Sequence, residues 1–85
     1  MKIVIAPQYR EDYAYWSERD PKKLRKIDRL FTAVCADSFK GIGKPEPLRF
    51  QYAGCWSRRI TYEHRIVYSI QSDTITFLSC RGHYG

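Results

Sequence analysis

Cys55-Trp56-Ser57-Arg58-Arg59-Ile60-Thr61, then Tyr62-Glu63-His64, then Arg65-Ile66-Val67-Tyr68-Ser69-Ile70 is the stretch that decides the fold. Both flanks are rich in β-branched and aromatic residues, and the three polar residues between them are few enough for a hairpin. By the period-two rule Trp56, Arg58 and Ile60 share one face of the first strand, and Ser57, Arg59 and Thr61 share the other. Ile66, Tyr68 and Ile70 form the core set of the second. The Ser57 side is the candidate for a face left open to solvent or ligand.

Working outward, Gln71-Ser72-Asp73 leads into a strand at 74–78, and Ala53-Gly54 is preceded by an apolar and aromatic run at 48–52 that reads as another strand. Residues 37–45 carry too many breakers for a regular element and read as a loop. Before it the period changes to 3.6. Asp20-Pro21 marks an N-cap and first helical position, and Leu24, Ile27, Leu30, Phe31 and Val34 form the apolar stripe of a helix whose other side is lysine and arginine. Tyr9, Tyr13 and Trp16 mark one face of an earlier helix beginning at Pro7, and Ile3-Val4-Ile5 is a short first strand. The expected class is α+β: a short N-terminal strand, then two helices packed on one face of an antiparallel sheet of four to five strands.

With 85 residues the chain holds one domain, 1–85, burying about 60 to 65% of its unfolded surface. A hydrophobic fraction of 44% is enough to form a core, which argues against disorder. The net charge of +6 favours a polyanionic partner such as nucleic acid or an acidic protein. All six lysines fall in residues 1–45, whereas 46–85 use only Arg49, Arg58, Arg59, Arg65 and Arg81. Arginine's planar fork grips phosphate with two hydrogen bonds, where lysine is a hydrated point charge. Cys35, Cys55 and Cys80 are odd in number and widely spaced, which fits reduced thiols in a cytoplasmic protein better than a disulfide framework. Cys35 is expected to face the helix interior. No apolar run reaches membrane-spanning length.

Glu46, His83 and the arginine-rich middle segment are the groups able to carry chemistry. Cleavage of RNA through its own 2′-hydroxyl needs a group to take that proton, cations for the charge developing on phosphorus, and an acid for the departing 5′ oxygen. A carboxylate, a guanidinium and an imidazole supply the three. Each also has an ordinary reading: Glu46 as a solvated loop carboxylate between two prolines, Arg58 as a cross-strand charge, Trp56 as core, His64 as a structural or capping residue. Tyr84 either packs the terminus or stacks on a base. Two histidines at 64 and 83 do not make a metal site, and no cysteine has a spacing that suggests zinc or redox work.

Gly43-Lys44-Pro45-Glu46-Pro47-Leu48, the Gly54 to Tyr68 segment and Cys80-Arg81-Gly82-His83-Tyr84 together resemble the YoeB-type toxins of the RelE superfamily. Tyr13, Tyr15, Trp16 and the helix start at Asp20 also match, so the likeness spans nearly the whole chain. The resemblance implies a RelE-like fold and the toxin of a type II toxin-antitoxin pair, an mRNA endoribonuclease that cuts in the ribosomal A site without metal or other cofactor. It implies Glu46 as general base, Arg65 as stabiliser of phosphate and transition state, His83 as general acid and Tyr84 as the residue that orients substrate. Arg49, Arg59 and Lys44 would contact RNA phosphates. The implied partners are a YefM/Phd-like antitoxin, the 70S ribosome with its mRNA, operator DNA through the antitoxin complex, and a second copy of the chain. Gly82 stands where the family often has a bulkier residue, and Arg49 where lysine is common. The competing class is a noncatalytic RNA- or protein-binding inhibitor on the same fold.

Overall fold

The computed structural model describes residues 1–82, so His83 and Tyr84 lie outside the described residues. The chain runs β1 (Lys2–Ile5), α1 (Pro7–Arg19), α2 (Pro21–Ala36), β2 (Glu46–Pro47), a 3₁₀ turn (Phe50–Tyr52), β3 (Cys55–Arg59), β4 (Arg65–Gln71) and β5 (Thr74–Ser79). The strands form one sheet in the order β1-β5-β4-β3-β2. β2 to β5 are antiparallel neighbours, whereas β1 runs parallel to β5, with Ile3 opposite Ile75. The sheet is therefore mixed rather than antiparallel throughout, because the helical pair returns the chain to the far side of the sheet before the meander begins.

The helix pair follows the caps read from sequence. Asp20 ends α1, its N–H donating to the Trp16 carbonyl at 2.8 Å, and starts α2, its Oδ1 accepting from the Lys23 N–H at 3.2 Å. Pro21 then takes the first helical position, where a missing N–H costs nothing. Ile27, Leu30 and Val34 from α2, with Tyr9 and Trp16 from α1, are buried against Ile60, Ile66, Tyr68, Ile75 and Phe77 of the sheet. Phe31 stacks on Phe77 with ring centroids 4.2 Å apart. Cys35 is exposed, contrary to expectation: it sits one residue past Val34, about 100° further round the helix, and leaves the buried stripe. Cys80 is buried, and desolvation pushes its thiol up to about 12.

Arg58 departs from any surface reading. It lies on the helix-facing side of β3, with no exposed area. Its Nη2 donates to the carbonyls of Asp37 and Lys40 (3.0 Å for the latter), its Nη1 to that of Ile42 at 3.3 Å, and its Nε to the Tyr68 hydroxyl at 3.1 Å. The Tyr68 hydroxyl in turn donates a hydrogen bond to the Ser38 carbonyl at 2.8 Å. The 37–45 loop is thus folded around one guanidinium, and the packing leaves no room for a side chain at Gly43: a Cβ there would meet Leu30 Cδ2 at 2.6 Å, at a φ of +85°.

The other end of the sheet is held by α1. Buried Asp12 accepts from the Cys80 N–H at 3.0 Å through Oδ2, and the Trp16 indole donates to the Cys80 carbonyl at 2.9 Å. Both backbone groups of Cys80 are therefore satisfied by one helix face.

Two expectations follow. Arg58→Ala leaves three loop carbonyls and a tyrosine hydroxyl without their donor, and should cost about 3 to 5 kcal/mol in chemical denaturation. Arg58→Lys should recover only part of that, because a point charge cannot reach all four acceptors. An unchanged denaturation midpoint in Arg58→Ala would refute the role of the guanidinium. The second concerns acid. The Phe39 and Lys40 backbone N–H groups, with the Lys40 and Arg58 charges, hold the Asp37 carboxyl below the usual carboxylate range. A depressed folded pKa gives stability that is present above the unfolded value of about 3.9 and lost as pH falls through the folded one. The melting temperature should therefore fall in acid, below about pH 4, and fall less steeply in Asp37→Asn.

Candidate active cleft

The loop held by Arg58 delivers Pro45-Glu46-Pro47 to the sheet edge. The two prolines fix the backbone on either side of Glu46, and Glu46 pairs with Ser57 across the β2–β3 register. Ser57 in turn faces Val67 of β4, and Arg65 lies two residues before Val67 on the same face. Register alone thus brings together residues 19 positions apart. Arg65 Nη1 stands 3.5 Å from Glu46 Oε2 and 3.5 Å from Ser57 Oγ. That is the outer limit of a hydrogen bond, and the Glu46 side chain remains 61% exposed, so the pair is a loose surface contact and the carboxylate is free to accept another proton donor.

These residues line a cleft of about 540 Å³, together with Pro47, Leu48, Arg49, Phe50, Gln51 and Tyr52. Of the residues assigned from sequence, Glu46, Arg65 and Arg49 share it. Arg59 does not line it but stands directly opposite Arg65 in the β3–β4 pairing, on the same face. Its backbone N–H donates to the Gly43 carbonyl at 2.6 Å, while its Nε is buried and has no hydrogen-bond partner among the described residues. Lys44 is exposed, with a φ of +52°, and stays outside the cleft wall. Among the described residues no three His, Cys, Asp or Glu side chains converge as a metal site would need.

The cleft floor differs from the sequence reading in two ways. Residues 48–52 do not form a strand: after the Leu48 N–H bonds the Cys55 carbonyl at 2.9 Å, the chain turns into the 3₁₀ segment Phe50–Tyr52. Phe50 has a φ of +58°, incompatible with an extended ladder. The face carrying Ser57 is also not uniformly open, since Ser57 and Val67 are buried. Ser57 itself was not singled out as a site residue, although its place beside Arg59 in the alternation marked it.

His64 is structural, as its turn position suggested. Its Nδ1 accepts the Gly82 N–H at 2.9 Å, and its ring meets the Trp16 indole edge-on at 4.8 Å between centroids. The Arg65 N–H donates to the Gly82 carbonyl at 2.8 Å, and the Arg81 guanidinium lies 3.6 Å over the Tyr15 ring. Gly82 uses its freedom to adopt a φ of +78° while both its backbone groups are bonded, so the chain is pinned up to the residue before His83.

Known proteins resemble this chain along nearly its whole length. A profile for the YoeB-like toxin of bacterial type II toxin-antitoxin systems matches residues 6–84. Toxin YoeB of Escherichia coli K12 is 43% identical over 84 residues, which is 99% of this chain and 100% of that protein. The solved YoeB/ParE toxin from Agrobacterium tumefaciens superposes with a TM-score of 0.93 at 41% identity, covering 99% of this chain and 100% of its own. The YoeB chain of a heterotetrameric YoeB-YefM complex from Staphylococcus aureus superposes with a TM-score of 0.86 at 40% identity, covering 99% and 98%. A family profile over residues 6–84, with relatives at 40 to 43% identity along nearly the whole length, establishes that this chain belongs to the YoeB-like toxins of bacterial type II toxin-antitoxin systems.

Proposed function

We propose that this chain is an endoribonuclease that cuts mRNA in the ribosomal A site by metal-independent acid-base catalysis, and so inhibits translation in the cytoplasm. The observation that carries the reading is the Glu46–Arg65 contact, which sets a carboxylate and a phosphate-binding cation 3.5 Å apart at one open cleft. Glu46 removes the proton of the 2′-hydroxyl, and that oxygen attacks the adjacent phosphorus. Arg65 takes the growing charge on the phosphoryl oxygens, with Arg59, opposite it in the β3–β4 pairing, adding positive charge for the same anion. The 5′ oxygen departs with a proton from His83, leaving a 2′,3′-cyclic phosphate upstream and a 5′-hydroxyl downstream. Tyr84 orients the substrate, and Arg49 with Lys44 contacts phosphates along the strand.

The Glu46–Arg65 contact is loose and open to solvent, so positioning by the ribosome supplies much of the rate. The antitoxin is a YefM/Phd-like protein, as in the Staphylococcus aureus complex, and operator DNA is met through that complex. Toxin chains also pair with one another. Among the described residues no helix is long and apolar enough to cross a membrane.

Mapping mRNA 5′ ends in a translation reaction tests this. Wild type should cut at the A-site codon and leave free mRNA intact, and Glu46→Ala or His83→Ala should slow cutting by about 10²- to 10⁴-fold. Translation blocked without cuts would establish a binding inhibitor instead.

A further inference from the structure

We propose that Phe50 is a stacking platform for one nucleobase of the single-stranded RNA strand that enters the Glu46–Arg65 cleft, an inference that rests on the nuclease reading above. Phe50 lines the cleft with Glu46, Arg49 and Arg65, yet it is 87% exposed and takes no part in any ring pair among the described residues. Its φ of +58° is a conformation that side chains bulkier than glycine, asparagine or aspartate rarely adopt. A large apolar ring held in solvent on a strained backbone contributes nothing to the core, and strain of this kind concentrates where a ligand is bound. The chemistry around it selects the ligand. Arg49 and Arg65 place positive charge beside the ring, and the chain carries a net +6, so the complement is a polyanion bearing flat apolar faces. Single-stranded RNA is that polymer: phosphates meet the arginines and a splayed base covers the phenyl ring.

The test uses Phe50→Ala, Phe50→Asn and Phe50→Trp, with fluorescence anisotropy on a short 2′-O-methyl RNA oligonucleotide at low salt, which cannot be cleaved through its 2′ oxygen. A single abasic nucleotide is moved along the oligonucleotide. Phe50→Ala and Phe50→Asn should each weaken binding of the intact oligonucleotide about 10-fold, and Phe50→Trp should restore it. Removing the base at one position should weaken wild type by a similar factor and leave Phe50→Ala unchanged. Asparagine tolerates a positive φ, so Phe50→Asn should melt no lower than wild type while still losing affinity, an outcome no purely structural role produces. Equal binding by wild type and Phe50→Asn, equal weakening at every abasic position, absence of wild-type binding, or a defect confined to antitoxin binding would each overturn the platform. Wild-type cutting of ribosome-bound mRNA, measured in parallel, separates the two readings. Base-dependent coupling without cutting defeats the nuclease and keeps the platform, and cutting without coupling defeats the platform alone.

Discussion

The buried guanidinium of Arg58 is the interaction on which the cleft depends. A charge with no exposed area is costly to remove from water, and here it is met by three main-chain carbonyls and the Tyr68 hydroxyl. All three carbonyls belong to a loop without regular structure, so the cation supplies the order that a hydrogen-bonded ladder would supply elsewhere. Arginine cannot escape the cost by losing its proton, which makes the arrangement obligatory once the strand is in place. Gly43 is packed against Leu30 and the stem of Arg58 in the same knot, and Glu46 follows three residues later. The position of the carboxylate is thus set from behind, by a residue on the opposite face of the sheet.

A second anchoring system works from the helices. Asp12 and Trp16 satisfy both backbone groups of Cys80, and His64 and Arg65 satisfy those of Gly82. Arg65 therefore belongs to both halves: its side chain reaches Glu46 and its backbone holds the segment that leads to His83. The edge of the cleft and the segment up to Gly82 are therefore tied to the same strand. The floor is looser. Phe50 and Tyr52 turn outward in a 3₁₀ segment, where the chain gives up burial for exposed aromatic surface.

Much of this was legible in the sequence where local chemistry decides. Asp20-Pro21 and the 3.6-residue stripe of α2 state a helix start and its buried face, and the alternation from Trp56 to Ile70 states a hairpin. Direction and tertiary context are less accessible. Alternation is the same in parallel and antiparallel strands, so nothing local announces that β1 pairs parallel with β5. Leu48, Phe50 and Tyr52 have a strand's pattern, and only the left-handed backbone at Phe50 breaks it. Arg58 among Trp56 and Ile60 reads as a cross-strand charge because the carbonyls it binds lie 16 to 21 residues away. Glu46 and Arg65 came from the chemistry of RNA cleavage and from family resemblance, and their contact depends on a register that no motif encodes. His83 and Tyr84 fall beyond the described residues.

The proposed reaction attacks phosphorus with the RNA's own 2′ oxygen. The most direct measurement is mass spectrometry of the 3′ terminus of the upstream mRNA fragment released from ribosomes by this protein. A 2′,3′-cyclic phosphate, or the monophosphate left when it opens, is the predicted end. A free 3′-hydroxyl, with the phosphate carried on the downstream fragment, would contradict the account, because it requires water or another external nucleophile in place of the 2′ oxygen.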